Sequence, residues 1–136
     1  MASFNKFDTF VEKLAEKAHN LASDTIQVYL TNAAPSASAD FVKTDLAEIS
    51  TGNGYTGPIT LTVGSSSQSS GTYTLNVTNN PAWTGSGAGF GPFQYAVLWN
   101  STADALIGWW NYGSSVSCLA GETFTVDITD NMLTLV

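Results

Sequence analysis

The chain contains no arginine, and its four lysines (Lys6, Lys13, Lys17 and Lys43) all lie in the first third. Only 11% of its 136 residues are charged, and the formal net charge is -7. From Ile49 to Ala103 there is no charged side chain and no histidine. Nucleic-acid binding needs clustered Lys and Arg to neutralise phosphates, so that class is excluded. An anionic membrane surface is disfavoured on the same ground. A lone cysteine, Cys118, rules out an internal disulfide. Its setting, Val116-Ser117-Cys118-Leu119, alternates apolar and polar residues, so the thiol is expected as a small buried hydrophobe. One histidine and one cysteine do not make a zinc ligand set. No apolar run is long enough to predict a membrane span. Phe4 to Leu21 carries charges throughout, so no signal peptide is predicted there, and synthesis in a cytoplasm is expected. The sequons at Asn76 and Asn100 then read as chance in a chain rich in Asn and Thr.

What is present suits a folded domain. Hydrophobic residues make up 43%, with seven Phe, five Tyr and four Trp. Burial of such rings is enough to drive folding without disulfides. One domain over 1–136 is expected, with a helix at 3–21 and a β-sandwich at 25–136. Phe4, Phe7, Phe10, Val11, Leu14 and Leu21 recur at helical spacing, with Ser3 as N-cap and Asn20 near the C-terminal end. Beyond that point the period changes to two. Thr25 to Thr31 reads as a strand with Ile26, Val28 and Leu30 on one face. Asn32 to Asp40 is an Ala/Ser/Pro loop. Asp45 to Ile49 reads as a helical turn or a short strand.

Ile59–Val63 and Gly71–Thr78 read as a hairpin. Gly64 to Ser70 (GSSSQSS) is then a loop tip or polar strand ends. Phe93–Trp99, Leu106–Tyr112, Ser114–Leu119, Thr123–Ile128 and Met132–Val136 follow as strands. Turn signals every ~8–12 residues predict a mainly β fold, an antiparallel, jelly-roll-like β-sandwich of about eight strands.

Chemistry is thinly represented. His19, near the helix end, reads as a helix-terminus residue. No Gly-x-Ser-x-Gly elbow has a strand–helix context. The alternate glycines Gly85, Gly87, Gly89 and Gly91 lack a following Lys-Ser/Thr, so they read as a loop and not as a phosphate cradle. Of the eleven acids, Asp45, Glu48, Asp104, Glu122, Asp127 and Asp130 are the candidates for a carboxylate pair. Asp127, Asp130 and Asn131 could hold calcium, but without EF-hand spacing. Neither a catalytic role nor a cofactor is expected. The aromatics weigh more. Adjacent Trp109 and Trp110 must point to opposite faces of a shared strand. One ring would face the core, and the other solvent, the helix or a partner. Contact centres favour such rings. A sugar-stacking platform is a weaker use of them.

Three segments carry a resemblance: FDTFVEKLAEKAHNLASDTIQVYLTNAAP, then TDLAEISTGNGYTG and GPFQYAVLWN, then LIGWWNYGSSVSCLAGETFTVD. In this order they resemble small structural proteins of tailed phages and prophages, similar to head decoration (cement) proteins. The likeness spans nearly the whole chain, and its motifs are packing and turn patterns. Gln94 stands where the family more often carries a basic residue, and Pro58 interrupts a Gly-rich stretch. The resemblance implies a capsid decoration protein on the outer surface of a virion. Its partners would be the major capsid protein and further copies of itself, a trimer before a dimer. A tail-associated subunit and a host-glycan-binding module are the alternatives. The expected contact residues are Phe4, Phe7, Phe10, Pro35, Trp109 and Trp110.

Overall fold

The computed structural model describes residues 2–128 and 132–136. It is mainly β, with antiparallel sheets and one helix near the N-terminus. The elements are β1 (Ser3–Lys6), α1 (Asp8–Ala15), β2 (Ile26–Thr31), a 3-10 turn (Lys43–Asp45), β3 (Ile59–Thr60), β4 (Val63–Ser69), β5 (Thr72–Val77), β6 (Ala82–Thr84), β7 (Phe90–Asn100), β8 (Ala105–Cys118), β9 (Thr123–Thr125) and β10 (Leu133–Leu135). Five strands form the main sheet in the order β1-β8-β7-β2-β3. A second sheet runs β10-β5-β4, and β6 pairs with β9. Asp130 and Asn131, the candidate calcium residues, lie outside the described residues.

The centre of the main sheet is buried on both faces. That is why β7 and β8 read as nearly continuous apolar runs and not as alternation. On one face Ile26, Val28, Leu30, Ala96, Leu98 and Trp110 join Leu75, Val77 and Trp83 from the other sheets in the main core. On the other face Tyr29, Val97, Leu106 and Trp109 form a smaller core, closed by Phe7 and Leu46.

The helix expected over 3–21 is shorter than its pattern. Ser3–Lys6 is a strand paired with β8, so Ser3 is not an N-cap. Phe7 is extended and α1 starts at Asp8. The three-residue spacing of Phe4, Phe7 and Phe10 fits a helix, but tertiary pairing overrides it. Phe4 lies opposite Trp110, and its ring lies over Gly108, where an added Cβ would collide with it. The helix stops early because Lys17 takes a left-handed φ of 67° and Ala18 N–H donates to Lys13 O at 2.8 Å.

The hairpin is also re-registered. Of the two readings of GSSSQSS the strand holds: Val63–Ser69 pairs with β5, while Ile59–Thr60 pairs with β2. Ser70 and Gly71 form the tip with φ of 49° and 83°, the type I′ pattern. β8 runs unbroken through Gly113, where two strands were expected.

The glycine-rich stretch has a packing cause. A Cβ at Gly85 or Gly89 would meet the backbone oxygen of Leu119 or Cys118, and one at Gly91 would sit 3.0 Å from Ser117 Cα. The repeat lets one chain segment lie directly on the end of β8.

Candidate assembly surface

The loop between β2 and β3 covers the second face of the main sheet, and a relay of polar groups holds it down. β3 pairs only with Gln27 and Val28, which leaves the far end of β2 to be finished by the loop. Leu30 N–H donates to Tyr55 Oη at 3.0 Å, and Ile49 N–H donates to Leu30 O at 3.0 Å. Tyr55 Oη in turn donates to Glu48 Oε1 at 2.7 Å. The other carboxylate oxygen of Glu48 accepts from Lys43 Nζ at 2.6 Å. That ammonium lies 5.0 Å from the centroid of the Tyr29 ring and 5.4 Å from that of Trp99. Ion pair and ring faces together hold one cation that is mostly shielded from water, where cation–π attraction is strongest. Lys43 is thus the lysine that structure uses, apart from the three near α1.

Two further carboxylates shape the same loop. Asp45 Oδ2 accepts from the backbone N–H of Phe41 at 2.8 Å and of Val42 at 3.0 Å. These two bonds hold its carboxyl below the usual range. Asp104 Oδ1 accepts from Trp99 Nε1 at 3.0 Å. Burial pushes the Tyr29 and Tyr55 phenols far up, and Glu48 adds to both shifts, so both remain neutral donors at any ordinary pH. Tyr55→Phe is expected to lower stability by about 1–3 kcal/mol, because Leu30 N–H is left buried without an acceptor. Urea unfolding of the two proteins measures the difference.

The first part of the loop is free of charge, and Asp40, Lys43, Asp45 and Glu48 follow it. Asn32 to Ala39 carries no charge, Pro35 is half-buried, and Phe41 is 44% exposed. Asp8 N–H donates to Ala37 O at 3.0 Å, which ties the loop to the start of α1.

Four expected contact residues are corrected. Phe7 and Phe10 are buried in the chain's own two cores. Trp109 and Trp110 do point to opposite faces, yet each is only 9% exposed. Trp109 stacks at a tilt on Phe7, with centroids 4.6 Å apart, and Trp110 on Phe4 at 5.0 Å. Both faces are covered from within, so neither ring is left for a partner. Phe4, at 38% exposed, and Pro35 keep accessible surface. Of the other tryptophans that could stack a sugar, Trp83 is buried and Trp99 lies beneath Lys43.

The candidate catalytic groups are dispersed into structural bonds. Glu122 Oε2 accepts from Leu119 N–H at 2.8 Å, and Asp127 Oδ1 from Asn80 Nδ2 at 3.0 Å. Cys118 is buried, with Sγ 3.0 Å from Glu122 O. His19 is buried against Phe10 and meets Asn100 Nδ2 at 2.9 Å through Nδ1. Asn100 Oδ1 accepts from Thr102 and Ala103 N–H, so its amide NH₂ faces the imidazole. Nδ1 is therefore an acceptor, and the neutral ring carries its proton on Nε2. The sequon at Asn100 is closed to modification in this fold, because the side chain is fully buried.

Burial lowers the His19 pKa below 6.5, Asp24 opposes that shift, and Lys13 adds to it. Between 6.5 and the lowered folded value the unfolded chain binds a proton that the folded chain refuses, so stability falls as pH falls. The melting temperature is expected to drop from neutral pH towards pH ~5, above the range where ordinary carboxylates titrate. His19→Gln should flatten that slope.

Comparison with protein-family models, with curated proteins and with solved structures finds no match to this chain.

Proposed function

We propose that this chain is a virion structural protein that decorates the outside of a phage capsid and acts as a cement between capsid subunits. The observation that carries the reading is the clamped loop. Lys43, Glu48 and Tyr55 tie it to β2, Asp8 N–H ties Ala37 to the start of α1, and Phe41 is left 44% exposed. A contact element ordered before docking loses little conformational entropy on binding. The resemblance of the GPFQYAVLWN and LIGWWNYG segments to phage structural proteins points to the major capsid protein as the partner. The action is mechanical: buried area added between neighbouring subunits resists the outward pressure of packaged DNA.

The test mixes the purified chain with expanded, undecorated capsids and, separately, with isolated tails. Sedimentation with capsids, and density on the outer face in electron micrographs, is the expected result. Phe41→Asp should reduce the bound fraction while leaving the melting temperature in place. Binding to tails alone would transfer the role to a tail subunit. A chain left in the supernatant of both mixtures would overturn the reading.

A further inference from the structure

Among the described residues six strands end a sheet: β1, β3, β4, β10, β6 and β9. An edge strand exposes a row of unpaired backbone N–H and C=O groups, and proteins normally blunt it by shortness, charge or proline. Five of the six are blunted. β3 has two residues and follows Pro58, and β6, β9 and β10 have three each. β1 has four and carries Lys6. β4 is the exception. It has seven residues, Val63–Ser69, without a charge or a proline. A register shift between Val63 and Ser65 is its one irregularity, and Ser65 to Ser69 pairs regularly with β5.

The side chains of β4 do not shield that edge. Ser66 Oγ shares a hydrogen bond with Tyr73 Oη at 2.8 Å, Ser65 Oγ accepts from Asn76 Nδ2 at 3.2 Å, and Gln68 Oε1 accepts from Gly71 N–H at 3.3 Å. All three bonds turn back towards β5 and its turn. Ser69 and Thr72 close the two-residue turn, so antiparallel alternation directs the backbone groups of Ser67 and Ser65 to β5. The groups of Ser66 and Gln68 then face outwards.

We propose that the β4 edge is a self-association site, where β4 of a second copy adds antiparallel about a twofold axis. The sheets of the two copies then join in the order β10-β5-β4-β4-β5-β10. Charge argues for a second copy over another partner. Each copy carries a formal net charge of -7, so two copies repel as wholes. β4 lies within the charge-free stretch from Ile49 to Ala103, and self-pairing there opposes no like charges. An edge without acids or bases also offers nothing to steer a charged foreign strand. A twofold contact is isologous, the commonest closed symmetry. It makes the dimer the basic unit, where the resemblance put a trimer first. The inference stands apart from the capsid reading, since it requires no capsid.

The experiment is sedimentation of the full chain across concentration, with amide exchange followed by NMR. The wild-type chain should dimerise, and the Ser66 and Gln68 amides should gain protection as concentration rises. Ser67→Lys places like charges across the twofold and should weaken dimerisation by about tenfold or more. Thr134→Lys, a charge on the β10 edge, should leave it unchanged. A chain that stays monomeric at millimolar concentration would overturn the proposal. So would a dimer in which the Ser66 and Gln68 amides stay unprotected, and this readout needs no variant to fold. Capsid binding by a monomeric chain would sink this proposal and leave the cement reading intact.

Discussion

Asn100→Ala is expected to lower the unfolding free energy by about 3–5 kcal/mol, the largest loss of any single polar truncation in this chain. The side chain is fully buried and serves four partners. Its oxygen accepts from Thr102 N–H at 3.0 Å and Ala103 N–H at 3.1 Å, which shapes the turn between β7 and β8. Its nitrogen reaches His19 Nδ1 at 2.9 Å and donates to Asp24 Oδ2 at 2.7 Å. Asp24 Oδ2 also accepts from Asn20 N–H at 2.7 Å, so the network ties the segment after α1 to the main sheet. Alanine would leave two backbone donors, an imidazole and a carboxylate short of partners in a poorly hydrated place. Each such orphan costs more than the bond itself contributes, because the lost water is not regained. Urea unfolding with an unchanged denaturant slope would record the loss. A change under about 1 kcal/mol would show that water or neighbours replace the amide.

Gly85→Ala is expected to cost about 2–4 kcal/mol through collision alone. The added carbon would strike Leu119 O and lie 2.8 Å from Leu119 C and 3.0 Å from Cys118 O. These are backbone atoms and cannot rotate aside. The same glycine donates to Glu122 O and accepts from Gly121 N–H, both at 2.8 Å, so separating the segments breaks two bonds as well. Gly113→Ala is the control. Gly113 has a φ of 84° but nothing within 4 Å of an added Cβ, so only conformational strain of about 1 kcal/mol is expected. Thermal melts of the two variants separate crowding from strain. Gly85 has no left-handed φ, so a Gly85→Ala shift no larger than that of Gly113→Ala would sink the close-approach account.

Part of this architecture was legible in the residues. The alternation at Ile26, Val28 and Leu30 gave β2 and its inward face, because period two is imposed directly by the pleat. The mainly β class and the N-terminal position of the helix were readable for the same kind of reason. The N-terminal strand was not. Phe4, Phe7 and Phe10 satisfy a helical spacing, and only Gly108 on the distant β8 makes room for Phe4 in a strand. Serines have no strong strand preference, so GSSSQSS read equally as a loop tip or as strand ends, and only the pairing with β5 decides for the strand. The Lys43 clamp draws on Tyr29, Glu48, Tyr55 and Trp99, which share no local pattern. Its one signal was that Lys43 is the lysine placed beyond the expected helix. The tryptophan pair gave opposite faces correctly but not their covers, because those come from Phe7 and Phe4 far away in the chain.

The pairing of Ser3 with Asn111 has a consequence for synthesis. β1 is made well before β8, so it finds its hydrogen-bonding partner only when the chain through Asn111 has emerged. Until then the rings of Phe4 and Phe7 lack their covers on β8, a state open to chaperones and to misassociation. Closing so long a loop is slow, so docking of the N-terminus is a natural last step of folding. A bulky fusion at that end would therefore slow maturation of the chain more than it lowers its final stability.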